Sequence, residues 1–383
     1  MSNDDATSGL SAEDIHRAYR KVLLRSADPS GLKTYAGLKI SSTELEIILR
    51  GSREYKDREA SEIRKKILLF GAYGNGNLGD AIQARSLLNC ISQILPSVEV
   101  WATSAFPEPY SFPSGRTLPV GAIRDLNLLS QFDALLIGGG GLLAHPHDPL
   151  PDANWVRSVS IPFAFLSVGA NDRCALQTHV AISNAAWAGG RDFETINELR
   201  KYRSQVEFMP DPVLVEDVPS LTADRPITHE TCWILRGPAD ENHSFIASIL
   251  KPEDIVVGVE PKHDESLKAI FPNMVFTQDI DPFNDIIASS RRVVSMRFHG
   301  VILALRLQRP VYSIRLPKGT ALLHMLGLSD FAHARAKDLM FLNTRSSHSC
   351  EPQRHFLRKL FDNNLRNMLV ALKMMPASQQ SSG

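Results

Sequence analysis

Short apolar runs that end at a glycine or a polar turn are the feature that most constrains how this 383-residue chain can fold. Runs such as Ile67–Phe70 and Phe163–Val168 are almost continuously hydrophobic, as expected of strands buried on both faces of a parallel sheet. Helical patterns fill the segments between them, and this alternation predicts an α/β fold. The other predicted strands are Val98–Ala102, Ala134–Ile137, Cys232–Leu235, Ile255–Val259, Met274–Thr277, Arg292–Ser295 and Val311–Ile314.

The predicted strands form two sets, separated by a polar stretch that contains Pro219 and Pro226. We therefore expect two Rossmann-like halves with a central cleft, joined by a hinge. In chain order, the predicted segments are a disordered start at 1–10, a helical module at 11–62, an N-terminal Rossmann-like domain at 65–215, a hinge at 216–230, a C-terminal Rossmann-like domain with a C-terminal helix at 231–375, and a disordered tail at 376–383.

The segment before the first strand has a helical pattern, with an apolar stripe at Ile15, Tyr19 and Val22 after an N-cap signal at Ser11. It resembles the small helical DUF4214 module, which is usually attached to carbohydrate-related proteins. The alternative is a helical cap with no role of its own. The resemblance rests on Tyr19, Val22-Leu23, Arg25, Asp28-Pro-Ser-Gly-Leu32 and Ser52-Arg-Glu-Tyr55.

Charge and composition exclude several classes of protein. Lysine plus arginine and aspartate plus glutamate number 42 each, so no net charge favours a nucleic-acid partner. Four scattered cysteines lack metal-ligand spacing, and no apolar run approaches the roughly 18 residues of a membrane span. The polar, acidic first twenty residues do not resemble a signal peptide. We expect a cytoplasmic protein without its own membrane anchor.

A glycine-rich loop at residues 71–80 directly follows the first strand and opens a helix. Its glycines would let a ligand approach the backbone, and the helix start offers free N–H groups to an anion. The spacing is not a clean dinucleotide fingerprint, because the loop also carries Asn75, Asn77 and Asp80. We take Asn75, Asn77 and Gly79 as substrate-binding candidates. Asp80 is either the N-cap of the helix or a contact to a substrate hydroxyl.

Three further strand ends carry candidate binding residues. Four glycines follow the third strand, and they allow either close packing or contact with a ligand. Arg191 either faces an anionic ligand or belongs to a structural turn with Asp192. A metal site at His145 and His147 is disfavoured because no third ligand is suitably spaced, and a mobile loop over the cleft is the alternative. The substrate-binding candidates here are Gly139, Gly140, Gly169, Asn171 and Arg191.

The segment Ser295-Met-Arg-Phe-His-Gly300 is the strongest candidate for chemistry. An extended junction would point Arg297 and His299 the same way, at the end of a strand and beside a helix start. A guanidinium suits a carboxylate or phosphate, and a nearby cation should lower the pKa of an imidazole that exchanges protons. The alternative is a buried structural Arg–His pair.

In combination and order, these motifs resemble the polysaccharide pyruvyl transferase family. The resemblance extends over residues 65–345 and implies a fold similar to two-domain glycosyltransferases of the GT-B type. It also implies transfer of a pyruvyl group from phosphoenolpyruvate to two sugar hydroxyls, which forms a ketal and releases phosphate. The matching segments are Asn77-Leu-Gly-Asp-Ala-Ile82, Gly138–Gly140, Ser167–Ala170, Arg191-Asp192, Pro210-Asp-Pro212, Ser295–Gly300, Ala304-Leu305 and Pro310-Val311.

The resemblance also implies roles for individual residues. Arg297 and His299 match the family's active-site pair, and Asp80 matches the acid of its first loop. We expect His299 to act as general acid–base and Arg297 to bind the donor phosphate or carboxylate. Ser295 and Gly300 are further substrate-binding candidates. The segment after Pro310 is short for the family, which leaves the contact to the donor carboxylate open, and Arg315 and Lys318 are the candidates for it.

Three other functions remain open at this point. They are a GT-B-like glycosyltransferase using a nucleotide sugar, a catalytically silent glycan-binding protein and, least favoured, a nicotinamide-dependent oxidoreductase. For pyruvyl transfer we expect no metal and no cofactor beyond phosphoenolpyruvate as donor substrate. The partners would be a sugar or lipid-linked glycan acceptor, with peripheral contact to membrane-bound glycan assembly machinery and no nucleic acid.

Overall fold

A computed structural model describes residues 9–23, 25–55, 65–105, 115–143, 150, 152–172, 174, 176–216, 225–333, 335–341 and 350–377. The chain divides into two compact units, Met1–Lys65 and Lys66–Gly383. Most of the predicted start, hinge and tail lie outside the described residues, as do His145, His147 and Pro219.

The first unit contains three helices, α1 (Ala12–Leu23), α2 (Pro29–Tyr35) and α3 (Ser42–Gly51). The motif residues of this unit contact one another. Arg25 lies over the ring of Tyr19 and donates from Nε to Glu54 at 2.6 Å. A Cβ at Gly31 would lie 2.4 Å from the Tyr19 hydroxyl, so only glycine fits there. The motif is therefore explained by packing within this unit.

The second unit begins with a parallel sheet of seven strands in the order β3-β2-β1-β4-β5-β6-β7. The strands are β1 (Lys66–Phe70), β2 (Glu99–Ser104), β3 (Thr117–Pro119), β4 (Ala134–Gly138), β5 (Phe163–Val168), β6 (Trp187–Gly190) and β7 (Glu207–Phe208). The helices are α4 (Leu78–Ile94), α5 (Leu126–Leu129), α6 (Ala153–Ser158), α7 (Leu176–Asn184), α8 (Phe193–Leu199) and α9 (Pro212–Val215), with a 3₁₀ turn at Val120–Arg124.

A second parallel sheet of six strands follows in the order β10-β9-β8-β11-β12-β13. Its strands are β8 (His229–Ile234), β9 (Ile255–Gly258), β10 (Val275–Phe276), β11 (Ser290–Ser295), β12 (Val311–Ile314) and β13 (Ala332–His333). Its helices are α10 (Glu241–Ile249), α11 (Pro261–Asp264), α12 (Ile280–Ala288), α13 (Phe298–Arg306), α14 (Pro317–Met325) and α15 (Glu351–Ala371). The 3₁₀ turns are Glu265–Ala269, Ser329–Phe331 and Ala336–Phe341.

The two sheets share one hydrophobic core, because a single buried cluster includes Leu69 and Leu136 from the first sheet and Ile234 and Val293 from the second. The C-terminal helix α15 follows the second sheet but returns to the first, where the Asn364 side chain donates to the Phe208 carbonyl at 2.8 Å. The predicted pair of Rossmann-like sheets is thus confirmed.

A partly buried polar network also joins the two sheet regions. The carboxylate of Glu216 accepts hydrogen bonds from Ser86 and Asn89, both on α4, at 2.6 Å each. It also pairs with Arg306 on α13 at 2.7 Å. Because every partner of this carboxylate is fixed on a helix, the network holds α4 and α13 side by side and so sets the position of their N-termini.

Candidate active site

A cavity of about 780 Å³ lies between the carboxyl ends of the two sheets. In each sheet the cavity adjoins the strand at which the order of the strands reverses, which is β1 in the first sheet and β8 in the second. Sheets of α/β proteins commonly bind ligands at such a point. The residues that line it are Ala72, Asn75, Asn77–Asp80, Gly140–Leu142, Arg191, Arg236, Val259, Glu260, Phe283, Met296–Gly300 and Arg315–Lys318.

The first turns of three helices, α4, α13 and α14, border this cavity. Asn77 caps α4 by accepting a hydrogen bond from Gly79 N at 2.9 Å. The N-cap residues of α13 and α14, Arg297 and Leu316, make no side-chain cap bond. Helix N-termini favour anions, because unpaired N–H groups and the helix dipole both act there. The cavity is therefore built to receive negative charge.

Asp80 is not the N-cap of α4, because Asn77 fills that position and Asp80 lies in the first turn. It is almost fully buried and accepts a hydrogen bond from Asn75 Nδ2 at 3.2 Å. Burial raises the pKa of Asp80 to about 6. A Cβ at Gly140 would lie 2.8 Å from the Asp80 carboxylate, and Gly140 also has a φ of +67°. Asp80 can consequently hold or release a proton near neutral pH.

The junction between β11 and α13 is a tight turn. The Ser295 hydroxyl accepts from Arg297 N at 3.0 Å and donates to Arg297 O at 2.8 Å. Ser295 is fully buried and does not line the cavity, so its position does not favour the predicted contact with substrate. A Cβ at Gly300 would lie 2.4 Å from the Ser295 hydroxyl, and Gly300 is therefore needed for this turn.

Arg297 does not project alongside His299, because the helix begins at Phe298 and ends the extended geometry. The Arg297 guanidinium binds two carboxylates, Glu260 and Asp264, each at 2.5 Å. Asp264 is fully buried and also accepts backbone hydrogen bonds from Gly237, Val259 and Glu260. The prediction that Arg297 binds the donor is not supported, since both of its terminal nitrogens already have partners.

His299 lines the cavity and packs against two other elements. A Cβ at Gly79 would lie 2.1 Å from His299 Nδ1, so glycine is required where α4 meets the imidazole. The other ring nitrogen, Nε2, is buried and lies 3.8 Å from Asp211. Burial is the main cause that lowers the pKa of His299 to about 3, and the charges of Arg191 and Lys318 contribute to the same shift. The predicted direction is confirmed, but the cations responsible do not include Arg297.

Arg191 is the buried cation of the cavity. It follows β6, and its guanidinium lies 5.1 Å from the centre of the Phe298 ring. Its closest carboxylate is Asp192 at 3.5 Å, and its buried Nε has no hydrogen-bond partner among the described residues. Asp192 itself caps α8 by accepting from Thr195 N at 2.8 Å. Of the two open interpretations of Arg191, the structure favours contact with an anion.

Besides Ser295, three predicted binding residues do not line the cavity, and they are Gly139, Gly169 and Asn171. Two of them leave room for neighbouring side chains. A Cβ at Gly169 would lie 2.6 Å from the Arg191 guanidinium, and one at Gly139 would lie 2.9 Å from Gln83 Oε1. These glycines therefore leave room for the side chains of the site instead of for a ligand.

Two cations from the loop after β12 lie at the rim of the cavity, and both were predicted. Arg315 has a φ of +54° and pairs with Asp240. Lys318 is exposed, and its ammonium contacts no carboxylate among the described residues. The pKa of Lys318 is lowered by partial burial and by Arg191. Lys318 is thus the freer of the two to bind an anion.

The sequence analysis did not include several site residues, which are Tyr73, Gln83, Arg236, Glu260 and Asp264, and it gave Asp211 only as part of the motif Pro210-Asp-Pro212. Glu260 directly follows a predicted strand, so the rule that identified the other strand ends could have found it. No group of three or more potential metal ligands occurs among the residues that the structure describes. Within the same ranges, no helix has the length and hydropathy of a membrane span.

Two solved structures are similar to this chain in fold. S. aureus MnaA, solved with UDP, has a TM-score of 0.55 and 13% identity, over 82% of this chain and 99% of its own. A Listeria monocytogenes protein assigned as a UDP-N-acetylglucosamine 2-epimerase has a TM-score of 0.54 and 11% identity, over 81% and 96%. At these identities, the likeness shows the GT-B-like fold alone.

Sequence comparison gives the family. No curated protein matches the chain. The sequence profile of the polysaccharide pyruvyl transferase family matches residues 77–316, which run from the N-cap of α4 through β2–β12 to the first residues after β12 and leave out β1 and β13. The match does not reach the N-terminal helices, so their resemblance to DUF4214 stays a prediction. The ordered motifs, the fold and the profile agree, and the chain belongs to the polysaccharide pyruvyl transferase family.

Proposed function

We propose that this protein transfers a pyruvyl group from phosphoenolpyruvate to two hydroxyls of a sugar, forming a cyclic ketal and releasing phosphate. The observation that carries the proposal is the buried, incompletely paired guanidinium of Arg191 beside His299 and the uncapped start of α13. A buried cation without a close partner is costly, and a bound anion would remove that cost.

The donor carries two anionic groups, a phosphate and a carboxylate, and the cavity offers two places for them. One is formed by Arg191 and the first turn of α13, and the other by Lys318 and the first turn of α14. Guanidinium and helix N–H groups are well suited to oxyanions. Arg315 is less suited, because Asp240 already pairs with it.

The chemistry needs a proton on the donor methylene carbon and removal of a proton from each attacking hydroxyl. Protonation of that carbon leaves a cationic centre at the neighbouring carbon, to which the first hydroxyl adds. The bond to phosphate then breaks, and the second hydroxyl closes the ketal. One of the two hydroxyl protons restores the acid that protonated the methylene carbon, and the other leaves with the released phosphate.

His299 is the group that we assign to proton exchange. Its low pKa keeps the imidazole neutral in the free cavity, and it can accept a proton from a hydroxyl. A bound donor anion would offset Arg191 and Lys318 and so raise the pKa of the imidazole. Asp80, with a pKa raised to about 6, is suited to contact an acceptor hydroxyl. The acceptor is a sugar of a glycan precursor, free or lipid-linked, and we expect the reaction to be cytoplasmic.

The test is incubation of purified protein with phosphoenolpyruvate and a panel of synthetic and lipid-linked glycosides. We expect a pyruvyl mass increment on one glycoside and release of inorganic phosphate that depends on that glycoside. His299→Ala should lower turnover by about 10²–10⁴-fold, the usual value of general acid–base catalysis, while the protein stays folded. Sugar transfer from a nucleotide sugar without use of phosphoenolpyruvate would instead show a glycosyltransferase and contradict the proposal.

A further inference from the structure

Asp211 is a buried carboxylate that none of the steps above employs. It lies between Pro210 and Pro212 and caps α9, where its Oδ1 accepts from Val213 N at 3.0 Å. Its Oδ2 accepts from Gln83 Nε2 at 3.0 Å. Only 4% of the residue is exposed, so its two oxygens are fixed from two elements. One cap bond is enough to begin a helix, and the second oxygen can accept a further hydrogen bond beside the one from Gln83.

That second oxygen faces His299. The distance from Asp211 Oδ2 to His299 Nε2 is 3.8 Å, slightly beyond a hydrogen bond. Nε2 is buried and has no hydrogen-bond partner among the described residues, and buried ring nitrogens normally have one. A small rotation of the imidazole would close the gap. The opposite nitrogen, Nδ1, lies against Gly79, which lines the cavity.

We propose that Asp211 is the positioning residue of His299: it accepts a hydrogen bond from Nε2–H and so leaves Nδ1 as the base that faces substrate. This inference rests on the proposed function. When Nδ1 takes the proton of an acceptor hydroxyl, the oxygen of that hydroxyl bonds to the donor carbon, and the imidazolium is stabilised by the Asp211 carboxylate. A carboxylate that fixes the tautomer of a catalytic histidine is a general arrangement in enzymes.

The surrounding charges determine in which state of the site Asp211 pairs with a protonated His299. His299 faces Arg191 and Lys318, and Asp211 faces Arg191 and Arg306. Burial raises the pKa of Asp211 to about 6, so the carboxylate is largely ionised at neutral pH. Asp80 is the other carboxylate close to Arg191. A donor anion at Arg191 and Lys318 would offset the cations that disfavour imidazolium, and Asp211 would then stabilise it.

The first experiment compares Asp211→Asn with Asp125→Asn as a matched control. Asp125 also caps a four-residue helix, α5, by accepting two backbone hydrogen bonds, but it does not line the cavity. We expect Asp211→Asn to lower kcat by about 100-fold or more and to leave KM for phosphoenolpyruvate within about threefold. The acidic limb of the kcat–pH profile should move to lower pH, because His299 loses a neighbouring negative charge. Asp125→Asn should retain full kcat.

The inference is overturned if Asp211→Asn keeps kcat within about threefold of the wild type while His299→Ala is inactive. A loss of kcat with an unmoved acidic limb would equally contradict it, because a merely structural residue would behave in that way. The second measurement needs no activity and no variant. In ¹⁵N-histidine spectra of the wild-type protein, neutral His299 should be the Nε2–H tautomer. The Nδ1–H tautomer would refute the pairing whatever reaction the protein catalyses, which separates this inference from the proposed function.

Discussion

Arg297 and Arg191 line the same cavity, yet their surroundings differ in one decisive respect. Arg297 is held by the carboxylates of Glu260 and Asp264, whereas the one carboxylate that contacts Arg191 among the described residues is Asp192, at 3.5 Å. The more conspicuous arginine of the sequence is therefore the one whose charge is already balanced. An arginine motif shows that a cation is present, but only its partners show whether that cation is available to a ligand.

The largest effect should come from removing the paired arginine. Arg297→Met leaves the fully buried Asp264 without its cation, and the free energy of unfolding should fall by about 3–5 kcal/mol, as for other broken buried pairs. Urea denaturation at pH 7 measures this change. The double variant Arg297→Met/Asp264→Asn should recover part of the loss, and a single-variant change below about 1 kcal/mol would show that the pair is not structural.

Removing Arg191, the incompletely paired arginine, should lower activity and spare stability, in contrast to the removal of Arg297. Arg191→Met should leave the free energy of unfolding unchanged or raised, since no close ion pair is broken. It should lower kcat/KM for phosphoenolpyruvate by about 30- to 5000-fold, which corresponds to about 2–5 kcal/mol for a buried charge contact. Steady-state kinetics measure the second effect. A large loss of stability with unchanged kinetics would reverse the roles of the two arginines.

Asp80, a buried carboxylate of the same cavity, should make the free energy of unfolding depend on pH. Its pKa is about 6 in the folded protein and about 4 in an unfolded chain, so the folded form binds more protons between these values and loses stability as pH rises through them. Asp80→Asn should thus raise the free energy of unfolding at pH 8 by about 2–3 kcal/mol. At pH 3.5 the gain should vanish. Equal effects at both pH values would contradict the raised pKa.

The smallest effects should occur at the rim of the cavity, where Lys318 and Arg315 again differ in whether a carboxylate pairs with them. Lys318 has no carboxylate contact among the described residues, and Arg315 is paired with Asp240. Lys318→Ala should weaken phosphoenolpyruvate binding by about fivefold, because an exposed charge contact is worth up to about 1 kcal/mol. Arg315→Ala should weaken it by less than about twofold. Titration calorimetry measures both, and a larger effect at Arg315 would be inconsistent with pairing as the deciding factor.

The sequence predicts the fold well where strands are long and apolar. Phe163–Val168 and Val311–Ile314 occur with the predicted bounds. The unpredicted strands are short or lack a hydrophobic signal: β3 has three residues, and β6 ends in two glycines. Such strands form because a longer neighbour supplies their hydrogen bonds. That contribution comes from tertiary structure and leaves little trace in the local pattern.

Local sequence identifies some residues of the candidate site, but it does not identify the distant residues that contact them. Asp80, Arg191 and His299 could be found because each follows a strand or opens a helix. The partners that decide their roles are far away along the chain, as with Asp211 and Gln83, or Arg297 and Asp264. Spacing of two residues suggested that Arg297 and His299 act together, and the start of α13 at Phe298 separates them.

The most direct test of these assignments is a structure of the protein with phosphoenolpyruvate bound. We expect a phosphate or carboxylate oxygen within about 3 Å of the Arg191 guanidinium, with His299 beside the reacting carbon. Arg297 should stay bound to Glu260 and Asp264. A donor held by Arg297, with its two carboxylates released and Arg191 left without contact, would contradict the account.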